Sequence, residues 1–393
     1  MKKLLLATTA VMMAGMAQAE EIKMGISLGF TGPLESMSPT MAAGAELAMK
    51  EVSDSGLLLD GTTIVPVRSD STCVDAAAAT AGVEKLITAD KVKGIVGGMC
   101  SGEATASLQN VAMPNGMVMI SPSATSPALS DLPDDGLFFR TSPSDARQGV
   151  VMTEILMEHG IKSVALTYTN KDYGKGLADS FAAAYEVAGG KVTINAAHDD
   201  GKADYSAEVG ALASAGGDAL VIAGYVDQGG AGILRGAIDS GAFETFVFPD
   251  GMVGQSLEDN FGADIEGSFG QMPSSEGEGK EKFIELAKAA GFDGSTVYSS
   301  ESYDAAALML LAMQAAGSTD PQTYKTKIME IANAPGEPIM AGELGKALEL
   351  IKEGKDIDYQ GASSVELIGN GESSGTFREI EIKDGKIETV KYR

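Results

Sequence analysis

The chain has 393 residues and is strongly acidic: 29 Lys and Arg stand against 55 Asp and Glu, a formal charge of −26, with only 2 Cys and 2 His. Such a surface repels phosphate backbones and anionic membranes, which disfavours nucleic-acid and lipid partners and is most simply a device for solubility. With histidine confined to His159 and His198 there is no Cys/His cluster for a metal, so neither a metal nor a cofactor is expected.

Met1-Lys2-Lys3 opens the chain with two positive charges, residues 4–16 carry none, and Ala17-Gln18-Ala19 places small residues where a secretory leader is cut. The uncharged run falls short of the roughly 20 residues that cross a bilayer, and no cysteine follows it for lipid attachment. Residues 1–19 are therefore expected to be a signal peptide removed after Ala19, leaving a periplasmic protein that starts at Glu20. What remains is too long for one compact core, so two lobes are expected. Cys73 and Cys100, the only cysteines, are expected to be joined in the oxidising compartment, a link that contributes about 3 to 4 kcal/mol on a chain-entropy account.

From Glu21 onward, short β-branched runs alternate with Ala-rich amphipathic stretches, the pattern of parallel sheets covered by helices. A strand is predicted over 22–28, then a helix capped by Ser38 with Pro39 in its first turn, running to 55 and stopping at Gly56. Strands over 62–68, 92–96 and 117–120 alternate with helices over 74–89 and 102–112. A second series follows Arg140: helix 144–159, strand 163–169, helix 174–188, strand 191–196, helix 205–215, strand 219–223, helix 229–240, strand 245–248. Beyond Gly279 the pattern turns helical, over 280–290, 302–316, 321–331 and 344–352, and ends in short strands over 365–367, 377–382 and 387–390. The charged runs 54–60 and 276–281 read as solvated loops.

Ligands of open parallel sheets bind beyond the carboxyl ends of the strands, so the strand-to-helix turns are where function is sought. The third strand leads into Gly97-Gly98-Met99-Cys100-Ser101-Gly102-Glu103, where free N–H groups and the Ser101 hydroxyl suit a carboxylate, although Ser101 would equally well cap its own helix. The fourth leads into Ser121-Pro122-Ser123-Ala124-Thr125-Ser126-Pro127, a hydroxyl cluster on a stiff backbone that also fits a solvated loop. Tyr173, Tyr225 and Asp250 follow three strands of the second series and would project from one sheet edge. Aromatic faces and an acid opposite a wall of hydroxyl and N–H donors make a trap for a zwitterion. The stretch Gly371-Glu372-Ser373-Ser374-Gly375 has the spacing of a nucleophile elbow, but it joins short strands and no histidine follows it. No phosphate loop and no dinucleotide fingerprint opens the first helix. The chain is read as a binding protein, not an enzyme, with a secreted hydrolase as the remote alternative.

The ordered series Ile22-Lys23-Met24-Gly25, Gly32-Pro33, Gly44-Ala45-Glu46-Leu47-Ala48, Cys73 with Cys100-Ser101, 120–127, Phe139-Arg140-Thr141, Asp172-Tyr173-Gly174-Lys175-Gly176, Ala223-Gly224-Tyr225 and Pro249-Asp250-Gly251 resembles the leucine/isoleucine/valine-binding proteins of branched-chain amino-acid ABC importers, which are type I periplasmic binding proteins. The resemblance covers essentially the whole chain after residue 19. It implies two doubly wound α/β lobes joined by a three-crossover hinge, with crossings near 142–145, 271–274 and 372–376. The implied lobes are 20–142 with 273–373, and 143–272 with 374–393. It also implies that Ser101, Ser123 and Thr125, with Ala124 among them, hold an α-carboxylate and part of an α-ammonium group. Tyr173 and Tyr225 would close over the ligand, Asp250 would be the ammonium counter-ion, and Phe30 would face the ligand side chain. The family usually carries glutamate where Asp250 stands, one methylene longer, and the segment Glu35-Ser36-Met37-Ser38 is peculiar to this chain. The expected partners are a small amino-acid-like ligand and an inner-membrane permease and ATPase complex, with the binding protein itself a monomer. The same scaffold is expected to suit an amide, urea or an aromatic carboxylate, or to serve as a sensor.

Overall fold

The computed structural model describes residues 20–393; the expected signal peptide lies outside the described residues. The first lobe begins β1 (Glu21–Leu28), α1 (Ser38–Ser55), β2 (Thr63–Asp70), α2 (Ala76–Lys85), β3 (Ile95–Gly97), α3 (Ser101–Ser107), β4 (Met119–Ser121), β5 (Phe138–Arg140). The plan repeats with α4 (Asp145–Glu158), β6 (Ser163–Thr169), α5 (Asp172–Val187), β7 (Lys191–His198), α6 (Ser206–Ala215), β8 (Ala219–Ala223), α7 (Gly229–Ser240), β9 (Phe246–Phe248), α8 (Gln255–Phe261) and β10 (Phe269–Pro273). Then come α9 (Glu278–Ala290), α10 (Ser299–Ala316), α11 (Pro321–Tyr324), α12 (Ile328–Ala332), β11 (Glu337–Met340), α13 (Leu344–Lys352) and β12 (Ile357–Gly361). The chain ends in β13 (Leu367–Ile368), β14 (Glu372–Ser373), β15 (Phe377–Lys383) and β16 (Lys386–Tyr392).

Two seven-stranded sheets result, ordered β13-β14-β5-β4-β3-β1-β2 and β16-β15-β10-β9-β8-β6-β7, beside a small β11–β12 pair. Within β1 to β5 and β6 to β10 all pairings are parallel, whereas β13–β14, β10–β15 and β15–β16 are antiparallel. Burial explains the composition. All five residues of β8, Ala-Leu-Val-Ile-Ala, are buried, the continuous apolar run expected of a parallel strand covered on both faces. Helix α10 is buried from Ser299 to Met313, packed against α1. In both sheets the strand order reverses at one place, between β1 and β3 and between β6 and β8, which is where such sheets open a crevice at their carboxyl ends.

The chain passes between the sheets after β5, after β10 and between β14 and β15. Arg140, 1 % exposed, ties the first passage to the third: Nη2 donates to Glu372 Oε2 at 2.5 Å, and Nη1 donates to the carbonyls of Ala124 and Ser126 at 3.0 and 2.9 Å. The Gly371–Gly375 stretch thus has a structural use. Cys73 and Cys100 are bonded, Cα–Cα 5.2 Å, joining the turn after β2 to the residue that precedes α3.

Several local expectations are corrected. Ser38 is not the cap of α1: it is the first helical residue, Met37 precedes it, and the Ser38 hydroxyl donates to Gly29 O at 2.6 Å instead. Gly56 does stop the helix, in the left-handed conformation at φ 65°. The helices expected over 74–89 and 102–112 each end in one wide turn, Leu86–Asp90 and Leu108–Ala112, and the one expected over 321–331 breaks into α11, a tight turn Lys325–Lys327, and α12. The run 276–281 is not a solvated loop throughout. It opens α9 and buries Lys280, whose Nζ donates to Ser300 Oγ at 2.8 Å. Strands β5, β10, β11 and β12 and the short helix α8 are absent from the predicted elements; β10, Phe-Gly-Gln-Met-Pro, is as long as β8 but has no unbroken apolar run.

Candidate ligand-binding site

The strand-end turns of the two sheets face each other across a small cavity of about 10 Å³. The first lobe contributes Ser101 and Met99 after β3, Ser123 after β4, Leu34 and Met37 after β1, and Tyr298 just before α10. The second contributes Tyr173 in the first turn of α5, Tyr225 after β8, and Asp250-Gly251 after β9. A wider groove between α6 and α7, lined by Lys202, Tyr205, Arg235 and Asp239, lies on the outside of the second lobe and holds none of the strand-end residues of the cleft.

In the first lobe, hydroxyls stitch adjacent turns together. Ser121 Oγ donates to Gly98 O at 2.6 Å and accepts from Ala124 N at 2.9 Å, and Ser123 Oγ donates to Met99 O at 2.8 Å. Ser101 Oγ accepts from Ser126 N at 3.1 Å, which resolves the alternative left open above: its hydroxyl braces the neighbouring turn, and Cys100 holds the cap position. The Ser101 proton stays available for a ligand acceptor. Ala124 and Thr125 are fully buried behind this wall, not on it. Glu103 lies beneath the same turns, accepting from Cys100 N at 3.1 Å and Ser71 Oγ at 3.0 Å, and burial pushes its carboxyl up to about 7.

Phe30 is not brought to the cavity. Its ring is half-buried under the Arg68 guanidinium, 5.5 Å away. The chain turns at Gly32, φ 103°, where a Cβ would come 2.4 Å from Thr72 O, and the following strap carries Leu34 and Met37 inward in place of Phe30. That strap reaches the other lobe: Asp227 N donates to Pro33 O at 3.1 Å, and Ser36 N donates to Asp227 Oδ2 at 2.9 Å.

In the second lobe the Tyr173 and Tyr225 rings stack at 5.3 Å, and both are nearly buried. Asp250, 3 % exposed, accepts from Tyr173 OH at 2.8 Å and Gln148 Nε2 at 2.6 Å on Oδ1, and from Tyr298 OH at 2.5 Å on Oδ2. Gly251 is required beside it, since a Cβ there would lie 2.6 Å from Gly224 O and 2.8 Å from Tyr173 OH. Burial raises the Asp250 carboxyl, against the three donors that favour its ionised form. Asp145, at the start of α4, is raised well above the usual carboxylate range, by burial first and by the charge of Asp250 second.

Ser101, Ser123, Tyr173, Tyr225 and Asp250 therefore share one cavity, while Ala124 and Thr125 back it and Phe30 stands apart. Sequence reasoning missed Leu34, Met37, Asp145, Gln148 and Tyr298. Asp145 and Gln148 carried a faint signal, an acid and an amide one turn apart at a helix start directly after a lobe crossing. Tyr298 carried none; it is 48 residues from its partner Asp250 and arrives through packing of α10.

The family described as periplasmic binding protein matches residues 21–347. A Leu/Ile/Val-binding protein homolog of Brucella melitensis biotype 1 is 30% identical over 330 residues, 82% of this chain and 86% of that one. Among solved structures, a leucine-binding protein from Thermotoga maritima superposes with a TM-score of 0.79 at 22% identity, covering 94% of this chain and 98% of its own. A solute-binding protein of an ABC transporter from R. palustris, in complex with 4-hydroxybenzoate, superposes with a TM-score of 0.76 at 18% identity, covering 95% and 97%.

Proposed function

The chain belongs to the periplasmic binding protein family, and from that premise we propose that it captures a branched-chain or related aliphatic amino acid between its lobes for delivery to an ABC importer. The observation that carries this reading is Asp250: a carboxylate buried in the cleft, held by three neutral donors and opposite the free hydroxyl of Ser101. An acid so placed favours a cationic ligand group, and an α-ammonium supplies one within a ligand of no net charge. The ligand carboxylate then lies against Ser101, with the Ser123 hydroxyl turning from the Met99 carbonyl to meet it, where the Arg140 guanidinium behind the 124–126 carbonyls adds positive potential. The aliphatic side chain packs on Leu34, Met37 and Met99.

Closing the lobes over the ligand removes it from water and completes the surface a permease recognises; preference of the ligand for the closed form drives the shift. On this reading the protein is exported, residues 1–19 are its signal, its lobes are 20–142 with 273–373 and 143–272 with 374–393, and it performs no catalysis. An aromatic carboxylate is the second reading, favoured by the stacked tyrosines and by the 4-hydroxybenzoate complex of the R. palustris protein.

Thermal denaturation of ligand-stripped protein against the aliphatic amino acids, urea and benzoate tests the proposal. Stabilisation grows as RT ln(1 + [L]/Kd), so leucine, isoleucine or valine at a hundredfold excess over Kd adds about 2.7 kcal/mol. Stabilisation by benzoate alone contradicts it.

A further inference from the structure

Asp145 opens α4 at the first passage between the lobes, fully buried, and neither carboxylate oxygen has a hydrogen-bond partner among the described residues. Thr125, whose carbonyl accepts from Asp145 N at 2.8 Å, has an unpartnered buried hydroxyl. That hydroxyl is near enough to favour an ionised Asp145 but outside hydrogen-bonding geometry. Gln148 Oε1, one turn along α4, is unpartnered too, while its Nε2 reaches Asp250. Polar atoms this deeply buried are ordinarily paired, so a group of them around one acid marks a place built for something to enter or leave.

The charged and titratable groups facing Asp145 are Asp250 from the turn after β9, Tyr173 from α5, Tyr225 from the turn after β8, Tyr298 from the start of α10, and Arg140 from β5. Arg140 is the one cation among them, and its guanidinium is engaged by Ala124 O, Ser126 O, Ser130 Oγ and Glu372. Asp145 thus begins the helix whose Gln148 amide reaches Asp250, the charge of each acid bears on the other, and among the described residues no cation is hydrogen-bonded to either. Like charges so placed do not both ionise readily, and they titrate as a pair.

We propose that Asp145 and Asp250 retain one proton between them while the cleft is empty and release it to solvent when the ligand's ammonium group arrives, which makes Asp145 a positioning residue for capture. The inference rests on the reading of the cleft as an amino-acid site. The charge at the acid pair supports it: two carboxylates with one proton carry one net negative charge, and two carboxylates with one ammonium carry the same. The ammonium replaces the expelled proton there, and the one negative charge that binding adds to the cleft is the ligand's own carboxylate, set against Ser101 on the side of the Arg140 guanidinium.

The test is calorimetric titration of leucine into ligand-stripped wild-type protein and Asp145→Asn, in phosphate and in Tris, at about pH 5.5, 6.5 and 7.5; the two buffers differ in ionisation enthalpy and so report proton release. Wild type is expected to release between half a proton and one proton per leucine in the lower part of this range, with Kd falling about threefold or more across it. Asp145→Asn is expected to release less than a fifth of a proton, with Kd changing less than twofold. Leucine binding to wild type with no proton release at any pH overturns the pair and leaves the amino-acid site standing, and this wild-type result does not depend on how the variant folds. Failure of leucine, valine and alanine alike to bind overturns the site, and the pair with it.

Discussion

Tyr298 and Asp250 meet across the cleft: the hydroxyl that leads into α10 of the first lobe donates at 2.5 Å to Oδ2 of an acid carried by the second. Tyr173 holds the other oxygen from within the second lobe. The carboxylate proposed to meet the ligand is therefore also a tie between the lobes, which links capture to closure through one side chain.

Asp250→Asn keeps the shape of the site and removes its charge. The variant is expected to bind aliphatic amino acids at least tenfold more weakly, at least about 1.4 kcal/mol, with little change in melting temperature without ligand. Equilibrium titration checks this, and unchanged affinity contradicts the role given to Asp250.

Glu103 makes the ligand-free protein sensitive to pH. Burial raises its carboxyl to about 7, above its ordinary 4.5, so the folded protein binds more protons than the unfolded chain between those values. Its contribution is full below the lower value and is lost as pH rises through the upper one. Glu103→Gln is expected to be more stable than wild type at pH 8, by on the order of 3 kcal/mol, and to lose that advantage at pH 4. Urea unfolding at the two pH values measures it.

Arg140→Met removes the cation that ties the first passage to the third and supports the 124–126 carbonyls. Breaking a buried pair on one side is expected to cost about 3 to 5 kcal/mol of stability, and ligand affinity is expected to fall with it because the hydroxyl wall loses its brace. Denaturant midpoints and titration on the same variant give both numbers.

The Cys73–Cys100 bond closes a segment with a sequence separation of 27. Its reduction is expected to lower unfolding stability by about 3 to 4 kcal/mol, read from denaturation with and without reductant. It also anchors the residue before Ser101, so binding is expected to weaken under the same treatment.

Asp227→Ala cuts the bond that holds Ser36 N across the cleft at 2.9 Å. With the strap freed, the closed form is less favoured, and affinity for every ligand is expected to drop by a similar factor of about three to ten. Dissociation rates from stopped-flow fluorescence of a labelled lobe are expected to rise by that factor.

Much of this was readable before any coordinates, for physical reasons that also mark where reading stopped. Parallel strands covered on both faces leave unbroken apolar runs such as 219–223, and Gly56 ends its helix because only glycine takes the left-handed cap without penalty. Tyr173, Tyr225 and Asp250 could be grouped because strand ends of one parallel sheet share an edge. Phe30 was misplaced because the turn at Gly32 exchanges it for Leu34 and Met37, and nothing in the local sequence states which way a turn faces. Tyr298 was invisible for the opposite reason, its role set by the packing of a helix distant in sequence. Strands β10 and β14 lack an unbroken apolar run, Phe-Gly-Gln-Met-Pro and Glu-Ser, and are strands because β9, β15, β13 and β5 pair with them.

The most direct test of the central claim is calorimetric titration of ligand-stripped protein with leucine and with 4-methylpentanoate, the same molecule without its ammonium group. Micromolar or tighter binding of leucine, with 4-methylpentanoate at least a hundredfold weaker, is the predicted result. Equal binding of the two, or binding of benzoate in preference to both, would contradict the assignment of Asp250 as an ammonium counter-ion and turn the site toward plain carboxylates.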